Sequence, residues 1–137
     1  MTPDAEALAA LHAAAFARGW SASEFDTFLA DPACLLVARP TGFALARLAL
    51  DEAELLTIAT DPQHRRQGVA RSLLSELLTL AAARGAAVMF LEVADDNAPA
   101  EGLYTVFGFE AAGRRKAYYP RPDSPAADAI ILRKTLA

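Results

Sequence analysis

The chain has 137 residues, of which 54% are hydrophobic and 22% are charged. This length fits one domain with its own core, and this composition excludes an intrinsically disordered chain. The formal net charge of -4 argues against a general nucleic-acid-binding protein, since such proteins present positive charge to phosphates. We therefore expect a single domain over residues 1–137.

The residues typical of disulfides, metal sites and membrane segments are scarce. Cys34 is the only cysteine and lies among apolar residues, which favours a buried structural thiol. His12 and His64 are far apart in the sequence, and no metal site is expected. The first residues lack the pattern of a signal peptide, and no apolar run is long enough to span a membrane. These features predict a cytoplasmic protein without a membrane partner.

In chain order, the first half predicts two helices followed by three strands. The first helix begins after Pro3 and ends near Phe16. The second follows a cap at Ser21 or Ser23 and stops before Pro32. Strand-like runs then occupy 34–39, 43–50 and 54–60. Their short connections favour an antiparallel meander.

The second half predicts a helix, a covered strand, another helix and two closing strands. Apolar residues recur with a helical period over 68–84, and a nearly continuous apolar run at 86–93 predicts a strand covered on both faces. Asn97 can cap the next helix. The closing strands are expected at 109–118 and 127–136. The unit 54–93 should join parallel strands through a right-handed crossover, so we predict an α/β fold with a mixed sheet.

The segment between the third strand and the long helix favours an anion. Gly68 and the small Ala70 let a ligand approach the backbone, and the free N–H groups of the first helical turn attract phosphate. Arg65, Arg66 and Arg71 add positive charge. A plain helix start with solvated arginines is the alternative. The chain lacks both the Gly-x-Gly-x-x-Gly dinucleotide fingerprint and the Gly-Lys-Ser/Thr of a P-loop.

Residues 65–70 match the pattern Arg/Gln-x-x-Gly-x-Gly/Ala and thereby resemble the GNAT superfamily of N-acetyltransferases. The segments on either side agree with that resemblance, at 56–62, 91–97 and 103–109. Within the superfamily they are most similar to the RimI type, which acetylates the N-terminal alanine of a small-subunit ribosomal protein. The resemblance extends over nearly the whole chain.

The resemblance implies the GNAT acyl-CoA N-acyltransferase fold, with acetyl-CoA as co-substrate between two splayed parallel strands. The first strand of that fold is expected to be shortened or missing, because the chain reaches its first helix almost at once. The backbone of Ile58, Ala59 and Thr60 would hold the pantetheine arm, and Asn97 would lie near its reactive end. The pyrophosphate would be bound by Arg66, Gln67, Gly68, Val69, Ala70 and Arg71.

Two residues suit the proton transfers of acetyl transfer, in which the amine loses a proton and the thiolate gains one. Glu92 ends an apolar run and is a candidate base. Tyr104 is a candidate acid, because a phenol with a pKa of about 10 keeps its proton at neutral pH. A solvated glutamate and a core tyrosine are the alternatives. The resemblance assigns Glu92 as the general base, acting directly or through water, and Tyr104 as the general acid.

The acceptor side is defined by aromatic residues. Tyr118 and Tyr119 precede a proline-rich loop, where exposed aromatic side chains suit peptide binding, and RimI-like enzymes bind the acceptor near this region. Trp20 either belongs to the core or forms a wall of the acceptor groove. The basic run at 114–116 is expected at a solvated strand edge, and steering of an acidic peptide is the alternative.

The resulting hypothesis is direct acetyl transfer to a protein N-terminal amine, with a ribosomal protein as partner and without a metal or an acyl-enzyme. One alternative is a GNAT enzyme that acetylates a small-molecule amine or a lysine side chain. The other is an acyl-CoA-binding module without catalytic activity. The oligomeric state is left open.

Overall fold

The computed structural model describes residues 4–16 and 19–136. The elements in chain order are α1 (Ala5–Ala15), α2 (Ala22–Ala30), β1 (Cys34–Arg39), β2 (Gly42–Ala49), β3 (Glu52–Thr60), α3 (Val69–Ala83), β4 (Val88–Ala94), α4 (Ala98–Val106), β5 (Glu110–Tyr119) and β6 (Ala127–Thr135). The predicted helices and strands are confirmed, with ends that differ by a few residues. A short 3-10 turn at Pro62–His64 was not predicted. Within the described residues, no strand precedes α1.

The helix starts follow from local capping. The Asp4 side chain accepts a hydrogen bond from Ala7 N–H at the start of α1. Ser21 and Glu24 form a reciprocal capping box at the start of α2, which decides between the two serines considered from sequence. None of the helices in residues 4–16 and 19–136 has the length and apolar character needed to cross a membrane.

The strands form one six-stranded mixed sheet in the order β1-β2-β3-β4-β6-β5. β3 and β4 are parallel, whereas the other neighbouring strands are antiparallel. The parallel ladder is short and ends where Glu54 pairs with Phe90, although β3 continues to Thr60 and β4 to Ala94. The two strands therefore separate towards their carboxyl ends, which confirms the expected splay.

A β-bulge in β3 accompanies this separation. Leu45 of β2 pairs with Thr57 and Ala46 pairs with Leu55, so that Leu56 has no partner in the β2–β3 ladder. An extra residue of this kind bends the strand and increases its twist. The bend directs the second half of β3 away from β4.

Two hydrophobic cores cover the two faces of the sheet. The main core packs α3 and α4 on one face and includes Leu55, whereas the aromatic core packs α1 and α2 on the other and includes Ala59. Residues four apart on a regular strand share a face. The bulge at Leu56 shifts this alternation by one residue, so Leu55 and Ala59 face opposite cores. Cys34 is half-buried at the aromatic core rather than fully buried, and burial raises the pKa of its thiol.

Gly42 marks a close approach of three elements. A Cβ at this position would lie 2.5 Å from the Ala59 carbonyl oxygen and 3.1 Å from a methyl carbon of Val69.

We expect Gly42→Ala to lower the free energy of unfolding by about 1–3 kcal/mol, because the backbone would have to move. Gly102→Ala is the matched control, since a Cβ there meets nothing within 4 Å. It should stabilise α4 by about 0.5–1 kcal/mol through helix propensity. Urea unfolding measures both, and equal effects would contradict the close approach.

Candidate active site

The separation of β3 and β4 opens a cavity of about 560 Å³. Its walls come from both diverging strands, from α4, from the end of α1 and the residues after it, and from the end of β5 and the loop that follows. The cavity wall brings together these residues predicted from sequence: Trp20, Ile58, Thr60, Glu92, Asn97, Tyr104 and Tyr119. Residues distant in the chain thus converge where the carboxyl ends of the parallel strands separate, as expected for a ligand site in such a sheet.

Some predicted residues lie outside this wall. The Ala59 side chain is buried in the aromatic core, which leaves only its backbone for a ligand between the strands. Tyr118, predicted together with Tyr119, is 48% exposed and does not line the cavity. The Arg115 guanidinium instead lies 5.3 Å from the centre of the Tyr118 ring. Of the pair, Tyr119 is the residue positioned to meet a ligand.

The predicted pyrophosphate segment, 66–71, forms the turn into α3. Gly68 adopts a left-handed conformation with φ of +79° and precedes the first residue of the helix. No side chain caps the first turn of α3, so its N–H groups and helix dipole remain available to an anion. Arg65 lines the cavity just before this turn, and Arg66 and Arg71 are exposed nearby in sequence. The turn therefore suits a phosphate group at the edge of the cavity.

Glu92 is half-buried and forms an ion pair with β5. Its Oε1 lies 3.1 Å from Nε of Arg115. β6 separates β4 from β5, and the long arginine side chain reaches across it. The sequence predicted a solvated strand edge for Arg115, with steering of an acidic peptide as the alternative. It is exposed but also contacts the candidate base, which the sequence could not indicate because the contact crosses two strand pairings.

Tyr104 combines the two interpretations that the sequence left open. It is 5% exposed, belongs to the main core and lies against Phe109 with ring centroids 5.8 Å apart. It also lines the cavity. Burial raises the pKa of Tyr104 to about 12, and ionisation of the nearby Tyr119 would act in the same direction. The phenol therefore keeps its proton and can act as a hydrogen-bond donor towards a ligand.

Asn97 is fixed at the cavity wall by its capping role. Its Oδ1 accepts a hydrogen bond of 3.3 Å from Ala100 N–H, as the predicted helix cap requires. Asp96, the residue before it, forms a bidentate pair with Arg121, with both N–O distances at 2.8 Å. Arg121 also lines the cavity. This pair joins the loop after β5 to the start of α4.

Sequence reasoning missed His12, which was considered only as a metal ligand. His12 is 3% exposed and lines the cavity with Thr57. Its Nε2 lies 3.1 Å from Thr57 Oγ1, and its Nδ1 accepts a 3.1 Å hydrogen bond from Trp20 N–H. The available signal was its position four residues after the buried Leu8, on the inward face of α1.

Burial lowers the pKa of His12 from its ordinary value of 6.5, and the charge of Glu24 opposes this shift only in part. Above pH 6.5, both the folded and the unfolded chain hold the imidazole neutral, so its contribution to stability is complete. Below that pH the unfolded chain binds a proton that the folded chain resists, and stability is lost. We expect the wild type to lose more unfolding free energy from pH 7 to 5 than His12→Asn does. Urea unfolding across this range measures the difference, and equal losses would contradict a buried neutral imidazole.

Comparison with known proteins agrees with this geometry. Residues 5–109 match the Acetyltransferase (GNAT) family. The chain is 46% identical over 90 residues to the ribosomal protein bS18-alanine N-acetyltransferase of Escherichia coli (strain K12), covering 66% of this chain and 60% of that protein. The protein of that name from Haemophilus ducreyi is 41% identical over 90 residues, covering 66% of this chain and 62% of its own length. The chain thus spans about three fifths of the length of these curated relatives.

The structural comparison covers more of both chains. The crystal structure of the ribosomal-protein-S18-alanine N-acetyltransferase from Escherichia coli superposes with a TM-score of 0.90 at 35% identity. The match covers 100% of this chain and 90% of that chain. By sequence and by structure, this chain belongs to the acetyltransferase (GNAT) family.

Proposed function

We propose that this chain transfers the acetyl group of acetyl-CoA to a protein N-terminal amine, and that its acceptor is the N-terminal alanine of ribosomal protein bS18. The observation that carries the proposal is the cavity that contains Glu92 and Tyr104 between the splayed strands. The whole-chain similarity to the Escherichia coli enzyme supports the choice of acceptor. Such an acceptor places the reaction in the cytoplasm.

The shape of the site fits acetyl-CoA. Beyond Glu54 and Phe90, no backbone pairing joins β3 to β4 in the described residues. The edge of β3 at Ile58–Thr60 that faces β4 is therefore free to bind the amides of the pantetheine arm. The uncapped start of α3, with Arg66 and Arg71, would hold the pyrophosphate. These two features lie on consecutive segments of the chain, at the end of β3 and the start of α3, which supports binding of one extended cofactor by both.

The proposed reaction moves one proton from the amine to the sulfur. Glu92 takes the proton of the acceptor amine, directly or through water, while the nitrogen attacks the thioester carbonyl. The carbon–sulfur bond then breaks, and the acetyl group remains on the nitrogen. The nitrogen of the acceptor replaces the sulfur without an intermediate on the protein. The half-buried carboxylate beside the cavity supports this role for Glu92.

Tyr104 would act on the departing sulfur. A thiol has an ordinary pKa of about 8.5, so complete proton transfer to the departing thiolate from a phenol with a pKa of about 12 is unfavourable. Tyr104 therefore keeps its proton and stabilises the developing charge on the sulfur as a hydrogen-bond donor. The proton taken by Glu92 passes to the thiolate through solvent as the products leave. This kind of preorganised donor contributes most where water is excluded, and Tyr104 is buried.

We expect Glu92→Gln to lower kcat/KM for an alanine-initiated bS18 peptide by about 10²–10⁴-fold, because the proton acceptor is lost. Tyr104→Phe should lower it by roughly 10²-fold through loss of the donor. Val106→Ala is the matched control on α4, since Val106 is 65% exposed, and it should keep full activity. Thiol release from acetyl-CoA, with product masses, measures all of these variants.

The acceptors in the same assay separate the alternatives. A peptide with a blocked N-terminus should remain unmodified even where it contains lysine, and polyamines should not be acetylated. Modification of lysine or polyamines alone would overturn the proposed acceptor but keep the cofactor. Binding of acetyl-CoA without turnover on any amine would overturn catalysis.

A further inference from the structure

The His12 side chain connects two walls of the cavity that belong to different elements. Its Nδ1 accepts the hydrogen bond from Trp20 N–H, in the segment between α1 and α2. A neutral imidazole that accepts at Nδ1 carries its proton on Nε2. Nε2 therefore donates to Thr57 Oγ1 on β3, 3.1 Å away. Both ring nitrogens are engaged within the protein, so His12 is not available as a base for the substrate.

The position of the ring is fixed by aromatic packing. His12 stacks with Phe16 at 4.3 Å and with Trp20 at 4.7 Å between ring centroids, with the ring planes within 23° and 22° of parallel. Phe25 meets the imidazole edge-on at 5.7 Å. Phe16 and Trp20 also line the cavity. Because both rings stack on the imidazole, His12 holds this aromatic wall in place.

Gly19 brings the Trp20 amide to the imidazole. A Cβ at Gly19 would lie 2.7 Å from Ala13 Cα, so only glycine allows the chain to pass this close to α1. The hydrogen bond from Trp20 N–H to His12 therefore forms at a point where the backbone is already held against the helix.

Thr57 lies at the other end of the connection, immediately after the bulge. It is 8% exposed and lines the cavity between Leu56 and Ile58. Its hydroxyl accepts from His12 and keeps its own proton as a donor. The orientation of this hydroxyl thus depends on the same imidazole that holds Trp20.

We propose that His12 is a positioning residue that joins the Trp20 wall to the bulge of β3 and thereby sets the affinity for the acceptor rather than for acetyl-CoA. This inference deepens the proposed function and rests on it for the nature of the acceptor. The segment 58–60 is held by β2 independently of His12, through pairs such as Ala44 with Ile58. Binding of acetyl-CoA should therefore change little when the imidazole is removed.

Three forms of the protein test the proposal: the wild type, His12→Phe and His12→Asn. The Phe variant keeps the stacking but leaves Trp20 N–H and Thr57 without their partner. The Asn variant places an amide oxygen near the position of Nδ1 and can accept from Trp20. We expect the KM for the acceptor peptide to rise roughly tenfold in His12→Phe and to recover in part in His12→Asn. The KM for acetyl-CoA should stay close to that of the wild type in both.

A second measurement does not need turnover. Trp20 is the only tryptophan of the chain, so its fluorescence reports on this wall alone. Quenching by acrylamide should increase in His12→Phe and return towards the wild-type level in His12→Asn. Circular dichroism at the assay temperature confirms that each variant is folded. If His12→Phe is not folded, the test is the smaller rise in quenching and in the acceptor KM that remains in His12→Asn, which restores only the contact with Trp20.

The outcomes separate the two proposals. Unchanged Trp20 quenching in the folded variants, or an equal rise of both KM values, would overturn the role of His12 and leave only core packing. If the wild type acetylates a different amine, the proposed acceptor fails, while the KM for that amine and the quenching still decide the role of His12. If the wild type acetylates nothing, quenching alone decides it.

Discussion

The bulge at Leu56 is the constraint on which the rest of the structure depends. Regular parallel pairing of β3 with β4 beyond Glu54 would bring the strands to about 4.8 Å and leave no space between them. Because one extra residue bends β3, the strands diverge and the cavity forms. The same residue reverses the alternation of side chains, so that Leu55 and Ala59 reach opposite cores. A single local irregularity therefore opens the cavity and changes the core against which the later residues of β3 pack.

The far side of the cavity is shaped by a second irregularity, in β5. Arg115 and Tyr119 are four positions apart in β5, but their partners on β6, Ala129 and Ala127, are only two positions apart. The extra residues include Ala117, whose left-handed φ of +52° is held by a 2.8 Å hydrogen bond from its N–H to Asp128. The extra residues shift the register of β5 against β6. Tyr119, at the end of this irregular stretch, lines the cavity, whereas Tyr118, its neighbour, does not.

The sequence predicted those features that depend on short-range chemistry. The capping residues, the glycine before α3 and the apolar period of each element lie within a few residues of what they determine, so Ser21 and Gly68 could be interpreted from sequence. The bulge at Leu56, the pairing of Arg115 with Glu92 and the contacts of His12 depend on residues from other elements. His12 and Thr57 are 45 positions apart and meet only after the sheet and α1 have packed. No local pattern of residue types indicates such contacts. The resemblance to a family assigned roles to residues but did not indicate which residues contact one another.

Tyr104 shows why the core and the site cannot be assigned to separate residues here. The packing that makes it a core side chain is also what raises its pKa to about 12, because desolvation opposes the phenolate. The hydroxyl is therefore a reliable donor across the range in which an N-terminal amine, with an ordinary pKa of about 7.7–8.0, loses its own proton. In that pH range the protonation state of the acceptor amine therefore changes, whereas that of Tyr104 does not. The packing that makes Tyr104 a core residue therefore also keeps its hydroxyl protonated for the donor role that the proposed reaction gives it.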